Sequence, residues 1–509
     1  MIFNSLKQLP NSIQIIDSDT GRHTSKHQVL DYGLRFATFL IDEYHINTGD
    51  VCLFTAKNCD IHGIALIGVI FSGAIYACIP DHSTVRELQE VIRQIKPTVL
   101  VIDTEKYDVM SKIASKFNLK LLVLEQHVKH LSIENIFITD RQINPILPVE
   151  TSWETTITFV MSSGTTGRPK AIRRTNGNHL ATVAMFKHRE LLPMTENDVL
   201  LSTAFLHICG QRCLFSAIES GARVLALSCD ESHGEVFEAI NKYGVTHAIL
   251  MPTQLNYLVK HPDQYPANYF SNLRDVLTGA APLAFGTHQA IKERYNFEKF
   301  CNSYGMSESG FVLTVHLHEK DNLSDCETVG KVNPGSEIMV IDTNGNSLGP
   351  GKLGEICIKG DQVTPGYVNN AKENEKLFTP EGFLKSGDIG YYDCNHFFYI
   401  VGRSKQMIKV DGVSISPVEL EHLLISHKDV ENAAVVGISD DERGEVPMAF
   451  VTVIEGAYVT EEQLIEFVDS QVNDHKKLRG GLRILESFPT TPSGKIHKSK
   501  LNTDNPFFH

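Results

Sequence analysis

The sequence predicts an α/β protein: a large N-terminal layered domain over residues 1–402, then a small α+β domain over residues 403–509. Three observations lead there. A chain of 509 residues is too long for one hydrophobic core. Apolar runs alternate with helical patterns as far as residue 400, as in layers of strands and helices. Near Gly402, Arg403, Ser404 and Lys405 the pattern restarts in a unit of ordinary domain size.

Taken in order, Gly63–Ile79 is apolar enough to suggest a membrane span. Its 17 residues lie at the short limit of about 17–25, and Gly68, Ser72 and Gly73 interrupt it. A buried helix running into a strand at Ala74–Ile79 fits better. Thr98–Ile102, Leu121–Leu124, Ala222–Leu227 and Thr246–Met251 read as further strands. Glu337–Asp342 and Leu353–Gly360 flank the turn Asn344, Gly345, Asn346 and read as a β-hairpin. In the C-terminal unit, Ser416, Pro417 and Glu419 form a capping-box pattern ahead of Leu420, Leu423 and Leu424. Thr460 and Gln463 repeat it ahead of Leu464, Val468 and Val472. Ala433–Val436 and Ala449–Ile454 supply strands for a small sheet.

Composition excludes several classes. A net charge of −14 argues against a nucleic-acid binder, and obliges any anionic substrate to be held by a local positive site. The ten cysteines show no Cys-x-x-Cys and no zinc spacing. Cys52, Cys78, Cys213 and Cys357 sit in apolar contexts, which suits reduced, buried thiols. The N-terminus lacks the basic and apolar regions of a signal peptide.

The most informative stretch is 159–170. Phe159, Val160 and Met161 read as the end of a buried strand. Ser162, Ser163, Gly164, Thr165, Thr166 and Gly167 follow, with Arg168 and Pro169 leading to Lys170. Glycines admit close approach of backbone to ligand, and amides and hydroxyls cradle phosphate oxygens. Lys170 adds a positive charge for the same anion. This is not a Walker loop, because Arg168 and Pro169 separate Gly167 from Lys170. The wording resembles the phosphate loop of the AMP-forming acyl-adenylate superfamily, which includes acyl- and aryl-CoA synthetases, 4-coumarate-CoA ligases and beetle luciferases.

Further segments resemble that superfamily in the same order. Leu201–His207 is similar to the segment that closes the acyl pocket, although Ala204 stands where relatives have Pro. Gly279, Ala280, Ala281 and Pro282 resemble the adenine loop. Ser303, Tyr304, Gly305, Met306, Ser307 and Glu308 resemble the Tyr-Gly-x-Thr-Glu motif. There Tyr304 offers a flat face for adenine and Glu308 a hard oxygen for Mg²⁺. Asp388 matches the ribose-binding carboxylate, with Ile400 and Arg403 beside the nucleotide. Lys405 matches the domain hinge, Lys409 and Gly412 the thiol step, and Lys495, after Pro492, Ser493 and Gly494, the catalytic lysine.

The resemblance implies a layered N-terminal adenylation domain with a small β-barrel-like subdomain, and a mobile C-terminal domain carrying Lys495. It implies ATP and Mg²⁺ as cofactors and coenzyme A as co-substrate. His207, Ile208, Gln211, Ala280, Met306 and Phe311 would border a mainly apolar pocket for a fatty or aryl carboxylic acid. The expected partners are these small molecules alone, with no nucleic acid, no membrane span, and a monomer or homodimer. The C-terminal Pro506–His509 is not the peroxisomal Ser-Lys-Leu address many relatives carry, which points to the cytoplasm.

Three other readings compete. Amino-acid adenylation for a carrier protein asks for an acidic residue beside His207, where Ile208 and Cys209 stand. A luciferase-like oxygenase would be a specialised trait on the same fold. A non-catalytic adenylate-binding protein is the alternative from another class. In the favoured ligase a lysine bridges the attacking carboxylate and the α-phosphate, offsetting charge that builds in the transition state. Lys495→Ala is therefore expected to slow adenylate formation at least ~10²-fold, the scale for losing one transition-state donor. It should spare thioester formation from synthetic acyl-AMP, and Lys409→Ala should show the reverse bias. Separate assays of the two half-reactions check both; equal losses in each would remove these roles.

Overall fold

A computed structural model describes residues 1–127, 130–139, 145–162, 170–188, 191–228, 232–316, 328–491 and 495–501. One sheet runs in the order Lys120–Val123, Val99–Ile102, Val51–Thr55, Ile75–Cys78, Thr156–Ser162, Lys170–Thr175. Its first five strands are parallel and the last antiparallel. Parallel strands need crossover connections that cover both faces, which is why Val51–Thr55 is buried throughout rather than alternately.

A second sheet begins with the edge strand His23–Ser25, then Ile13–Asp17, Arg223–Ala226, Val199–Ser202, His247–Leu250, Asp275–Gly279 and Lys299–Met306. Past Lys299–Met306 it continues antiparallel through Gly310–His316, Thr328–Val332, Phe398–Arg403, Leu384–Tyr392, Gly354–Gly360 and Ser336–Ile341. The last five strands, where a barrel-like subdomain is expected, form an open antiparallel run with Ser336–Ile341 at its edge. They extend the long sheet and close over Val340, Ile356, Ile358, Leu384 and Phe398.

The two sheets share one core. Phe54 of the first and Ile15, Leu200 and Val224 of the second pack with Phe36, Leu66 and Phe215 from three helices. Helix Asp60–Phe71 buries Ile61, Ile64, Leu66, Ile67 and Val69, which point to every side of its axis. It is the helix expected within Gly63–Ile79, and it runs on to strand Ile75–Cys78. A Cβ at Gly68 would lie 2.9 Å from the Gly33 carbonyl, so glycine lets this helix meet Lys26–Asp42 backbone to backbone. Among the described residues no helix is long and apolar enough to cross a membrane.

Arg403, expected to open the small domain, ends strand Phe398–Arg403 of the long sheet, and the chain passes into the C-terminal sheet through the 3₁₀ turn Ser404–Gln406. That sheet is ordered Val413–Ile415, Ile408–Val410, Gly444–Val453, Val430–Asp440, with Leu482–Ile484 parallel to Gly444–Val453. The two long strands outrun the predicted Ala433–Val436 and Ala449–Ile454. The Thr460–Gln463 capping box forms in both directions, and Leu464 and Val468 are buried. The Ser416 box does not form. Its hydroxyl donates instead to the Val401 carbonyl at 2.6 Å, so tertiary contact took the capping group, while Pro417 still opens the helix. The two domains also meet where Asn256 donates to Asn432 at 3.1 Å, and where Lys260 donates to the His427 carbonyl at 2.9 Å.

Helix Ile208–Ser220 starts hard against the preceding turn. A Cβ at Gly210 would stand 2.2 Å from the Ala204 carbonyl and 2.4 Å from that of Thr203. Gly210→Ala is thus an overpacking change against backbone, expected to cost about 1–3 kcal/mol. Thermal or denaturant unfolding measures it, and an unchanged midpoint would contradict this packing.

Candidate functional site

Strand Thr156–Ser162 and strand Lys170–Thr175 are paired so that Ser162 stands opposite Lys170. Phe159 and Val160 are buried at that strand's end, as expected. Ser163, Gly164, Thr165, Thr166 and Gly167 lie outside the described residues. Lys170 is held in two ways: its Nζ pairs with Glu373 at 2.5 Å and lies 5.2 Å from the Tyr367 ring centroid. The hydrogen bond from Lys170 holds the Glu373 carboxyl below its ordinary range.

Tyr367 was not singled out by sequence reasoning, yet it ties two predicted residues together. Segment 366–368 runs beside the Lys170 strand: Arg173 donates its amide to the Gly366 carbonyl at 3.0 Å, and Val368 to that of Ala171 at 2.8 Å. Asn374 brackets Tyr367, accepting from its amide at 2.8 Å and donating to its carbonyl at 2.9 Å. The phenol then donates to Glu308 Oε1 at 2.9 Å. Glu308 is buried, and its own carbonyl receives Arg174 Nη1 at 3.2 Å and the Thr364 amide at 2.8 Å. One signal in the sequence, an aromatic directly after Gly366, was too common to read.

Tyr304 closes strand Lys299–Met306 and donates its hydroxyl to Asp388 Oδ2 at 2.7 Å. Burial and the Asp388 charge push the phenol's pKa well up. Asp388 stands opposite Arg403 across neighbouring strands, and Arg403 Nε reaches its Oδ1 at 3.0 Å. Ile400 lies on the same strand as Arg403 and faces Gly390. Gly279 and Ser303 are strand neighbours so close that a Cβ on Gly279 would sit 2.3 Å from the Ser303 carbonyl. Ala280 then turns at φ 69°, in the left-handed region. The Ser303 hydroxyl is buried with no partner, a donor left for something else. Ser307 falls in the turn before Glu308, and Gly305 is pressed onto the Gly310 carbonyl.

Lys495 enters from the C-terminal domain. Thr491 and Lys495 hold each other, the Lys495 amide on Thr491 Oγ1 at 3.2 Å and the Thr491 amide on the Lys495 carbonyl at 2.7 Å. Burial and the positive charge of Arg403 lower the Lys495 pKa, while Asp388 and Glu308 act in the opposite sense. Lys170, Tyr304, Glu308, Asp388, Arg403 and Lys495 therefore form one connected group. Lys409 and Gly412 stay outside it. Lys409 is exposed and donates its Nζ to Ser414, and Gly412 sits at φ 81° in the adjoining turn. Lys405 lies in the 3₁₀ turn between the two sheets, exposed, with its charge reaching Glu373.

The expected acyl pocket gathers at the start of helix Ile208–Ser220. His207 is its N-cap residue without a side-chain cap bond. Ile208 packs in one cluster with Met306. Gln211 is fully buried and donates to the Phe205 carbonyl at 3.1 Å, with its own amide oxygen unpartnered. Phe311 lies 4.8 Å below a guanidinium that the apolar expectation did not include, that of Arg212. Burial pushes Arg212 down to about 10 and Arg174 to about 9.

Residues 2–368 match the family model described as AMP-binding enzyme, and residues 419–495 match that of the AMP-binding enzyme C-terminal domain. Among curated proteins, the chain is 30% identical to a probable CoA ligase, CCL5, of Humulus lupulus, over 98% of this chain and 91% of that one. It is 31% identical to the luciferin 4-monooxygenase of Nipponoluciola cruciata, over 96% and 89%. ATP-bound MatB from Rhodopseudomonas palustris superposes with a TM-score of 0.88 at 21% identity, covering 100% of this chain and 99% of that one. A benzoate CoA ligase from Burkholderia xenovorans gives 0.87 at 20% identity over 98% of each, a likeness of fold.

Tyr367→Phe keeps the ring beside Lys170 and removes the donor to Glu308. A hydrogen bond to a charged group contributes about 1.5–3 kcal/mol, so its loss should lower stability by up to that amount and slow adenylate formation about tenfold or more. An unchanged rate, measured at limiting Mg²⁺, would reduce Tyr367 to packing.

Proposed function

The chain belongs to the AMP-binding enzyme family, and on that premise we propose that it is an ATP-dependent carboxylate–CoA ligase working through an acyl-adenylate. The observation that carries this reading is Lys495. A lysine from the small domain shares its surroundings with Asp388, Arg403 and Glu308 of the large one. That arrangement suits attack of a carboxylate on the α-phosphorus of ATP. The carboxylate oxygen forms the new bond to phosphorus, pyrophosphate leaves with the electrons of the broken P–O bond, and acyl-AMP remains.

In the proposed division of labour, Lys170 with the loop before it holds the β- and γ-phosphates, and Lys495 meets the charge growing on the α-phosphate. Asp388 accepts from the ribose hydroxyls, and Tyr304, locked to it at 2.7 Å, presents its ring to the adenine. Glu308, a buried carboxylate held by Tyr367, fits a hard divalent cation. Mg²⁺ bound there would neutralise phosphate charge. His207 would gate the acyl pocket. No protein nucleophile is required; orientation and charge neutralisation suffice.

Thioester formation needs a second arrangement. Lys409 and Gly412 belong to the same domain as Lys495 but stay outside the site while Lys495 occupies it. Rotation about Lys405 would exchange them, and the thiol of coenzyme A would then attack the acyl carbonyl, releasing AMP. The 3₁₀ turn Ser404–Gln406, a lone covalent link beside few interdomain hydrogen bonds, suits such a hinge.

ATP–pyrophosphate exchange with a panel of fatty and aromatic acids tests the first step. Exchange with at least one acid, abolished by chelating Mg²⁺, is expected, and coenzyme A should then convert that acid to a thioester. Tight ATP binding without exchange for any acid would leave an adenylate-binding protein instead.

A further inference from the structure

Arg212 does nothing in the reaction as derived so far. It is 1% exposed, and among the described residues its Nε and Nη2 have no hydrogen-bond partner. Among the described residues no Asp or Glu forms an ion pair with it. The guanidinium lies 4.8 Å from the Phe311 centroid and 6.0 Å from that of Phe186. It rests on bare backbone, since a Cβ at Gly310 would stand 2.2 Å from Nη2. Its helix carries Ile208, Gln211 and Arg212 at i, i+3 and i+4, which places them on one face with the expected acyl-pocket residues.

The neighbourhood deepens the charge imbalance. Arg174 is also fully buried, with Nε and Nη2 unpartnered, and its charge and that of Arg212 oppose each other. Glu308 acts on Arg174, while its Oε1 is occupied by Tyr367. The groups whose charge favours Arg212 are the thiols of Cys209 and Cys213; the hydrogen bond between them pushes Cys213 well up and, with the charge of Arg212, brings Cys209 down to about 7, so among the described residues a thiol is the one local group that offers Arg212 partial negative charge. An arginine cannot shed its proton to escape this situation. A buried cation without a counter-ion is among the costliest arrangements a fold can hold. Gln211 adds an unpartnered carbonyl oxygen on the same face.

We infer that the acid adenylated here carries a second carboxylate, held by Arg212. This rests on the ligase reading and narrows it from a fatty or aryl acid to a dicarboxylic one. One carboxylate reacts and the other anchors. The apolar walls given by Ile208, Met306, Phe186 and Phe311 suit an aliphatic or aromatic spacer between them. An uncharged tail would leave the guanidinium desolvated and unpaired in every complex.

The test compares α,ω-dicarboxylates with their monomethyl esters, over several spacer lengths and one aromatic spacer, in the intact enzyme. In ATP–pyrophosphate exchange a diacid should exceed its ester in kcat/KM by more than the ~10²-fold that apolar contacts can supply, toward the ~10⁴-fold by which a site with a dedicated polar partner rejects an analogue lacking it. R212M should lose or invert the preference, chiefly through KM, and R212K should restore part of it. Calorimetric binding of the same acids without ATP gives a readout independent of turnover. Exchange that favours esters or monoacids, with R212M unchanged in preference, overturns the proposal and leaves the ligase standing. Diacid binding that depends on Arg212, without exchange for any acid, overturns the ligase reading and keeps the receptor. If R212M does not fold, the wild-type diacid-to-ester ratio decides alone, and a ratio near one overturns the inference.

Discussion

A chain with a net charge of −14 that handles ATP has to concentrate cations in one place and keep them there. The architecture around the site follows from that constraint. Lys170, Arg403 and Lys495 come from three distant parts of the sequence, and two of them are held by a carboxylate: Lys170 by Glu373 and Arg403 by Asp388. These pairs keep flexible side chains aimed inward without neutralising the region outright, since both cations remain partly open to solvent. Lys495 is the exception. Burial and its cationic neighbour lower its pKa, so it has the most to gain from an arriving phosphate.

Tyr367 and Tyr304 act as the framework of this electrostatics. Each donates its hydroxyl to a buried carboxylate, Glu308 in one case and Asp388 in the other. Tyr367 takes Glu308 Oε1, while Asp388 is held at both oxygens, by Tyr304 on one and Arg403 on the other. Their backbones come from a segment zipped beside the Lys170 strand and from the last parallel strand of the long sheet. The strand order therefore brings both carboxylates to one place, where the sheet turns from parallel to antiparallel. A crevice at such a change of topology is a recurring ligand site in α/β folds.

The proposed two-step reaction asks one site to serve two chemistries, and the division of cations between the domains suits this. In the proposed scheme the large domain keeps Asp388 and Arg403, which would hold the nucleotide through both steps, and Lys170, which would hold the pyrophosphate that leaves after the first. The small domain carries Lys495 inside the site and Lys409 outside it, joined to the large domain by one short turn. Few hydrogen bonds cross the boundary, among them those from Asn256 and Lys260. A small polar interface of that kind can be broken and remade during turnover.

Much was legible from residues alone, because local chemistry decided it. Continuous apolar runs marked strands buried on both faces. The Thr460–Gln463 cap formed because both partners lie within one helical turn. The Gly- and Ser-rich loop before Lys170, Tyr304 with Glu308, Asp388, Arg403 and Lys495 were legible as motifs, and the structure joins the described ones into one group. Tertiary structure decided what depends on partners far apart in sequence. Ser416 lost its cap to the Val401 carbonyl, Tyr367 found Glu308 across 59 positions, and Glu373 found Lys170 across 203. Arg212 reads in sequence as one more polar residue on a helix, yet folding strips it of water, and among the described residues no Asp or Glu pairs with it. Burial is a property of the whole fold, and no pattern of neighbours along the chain reveals which charge will be left without a partner.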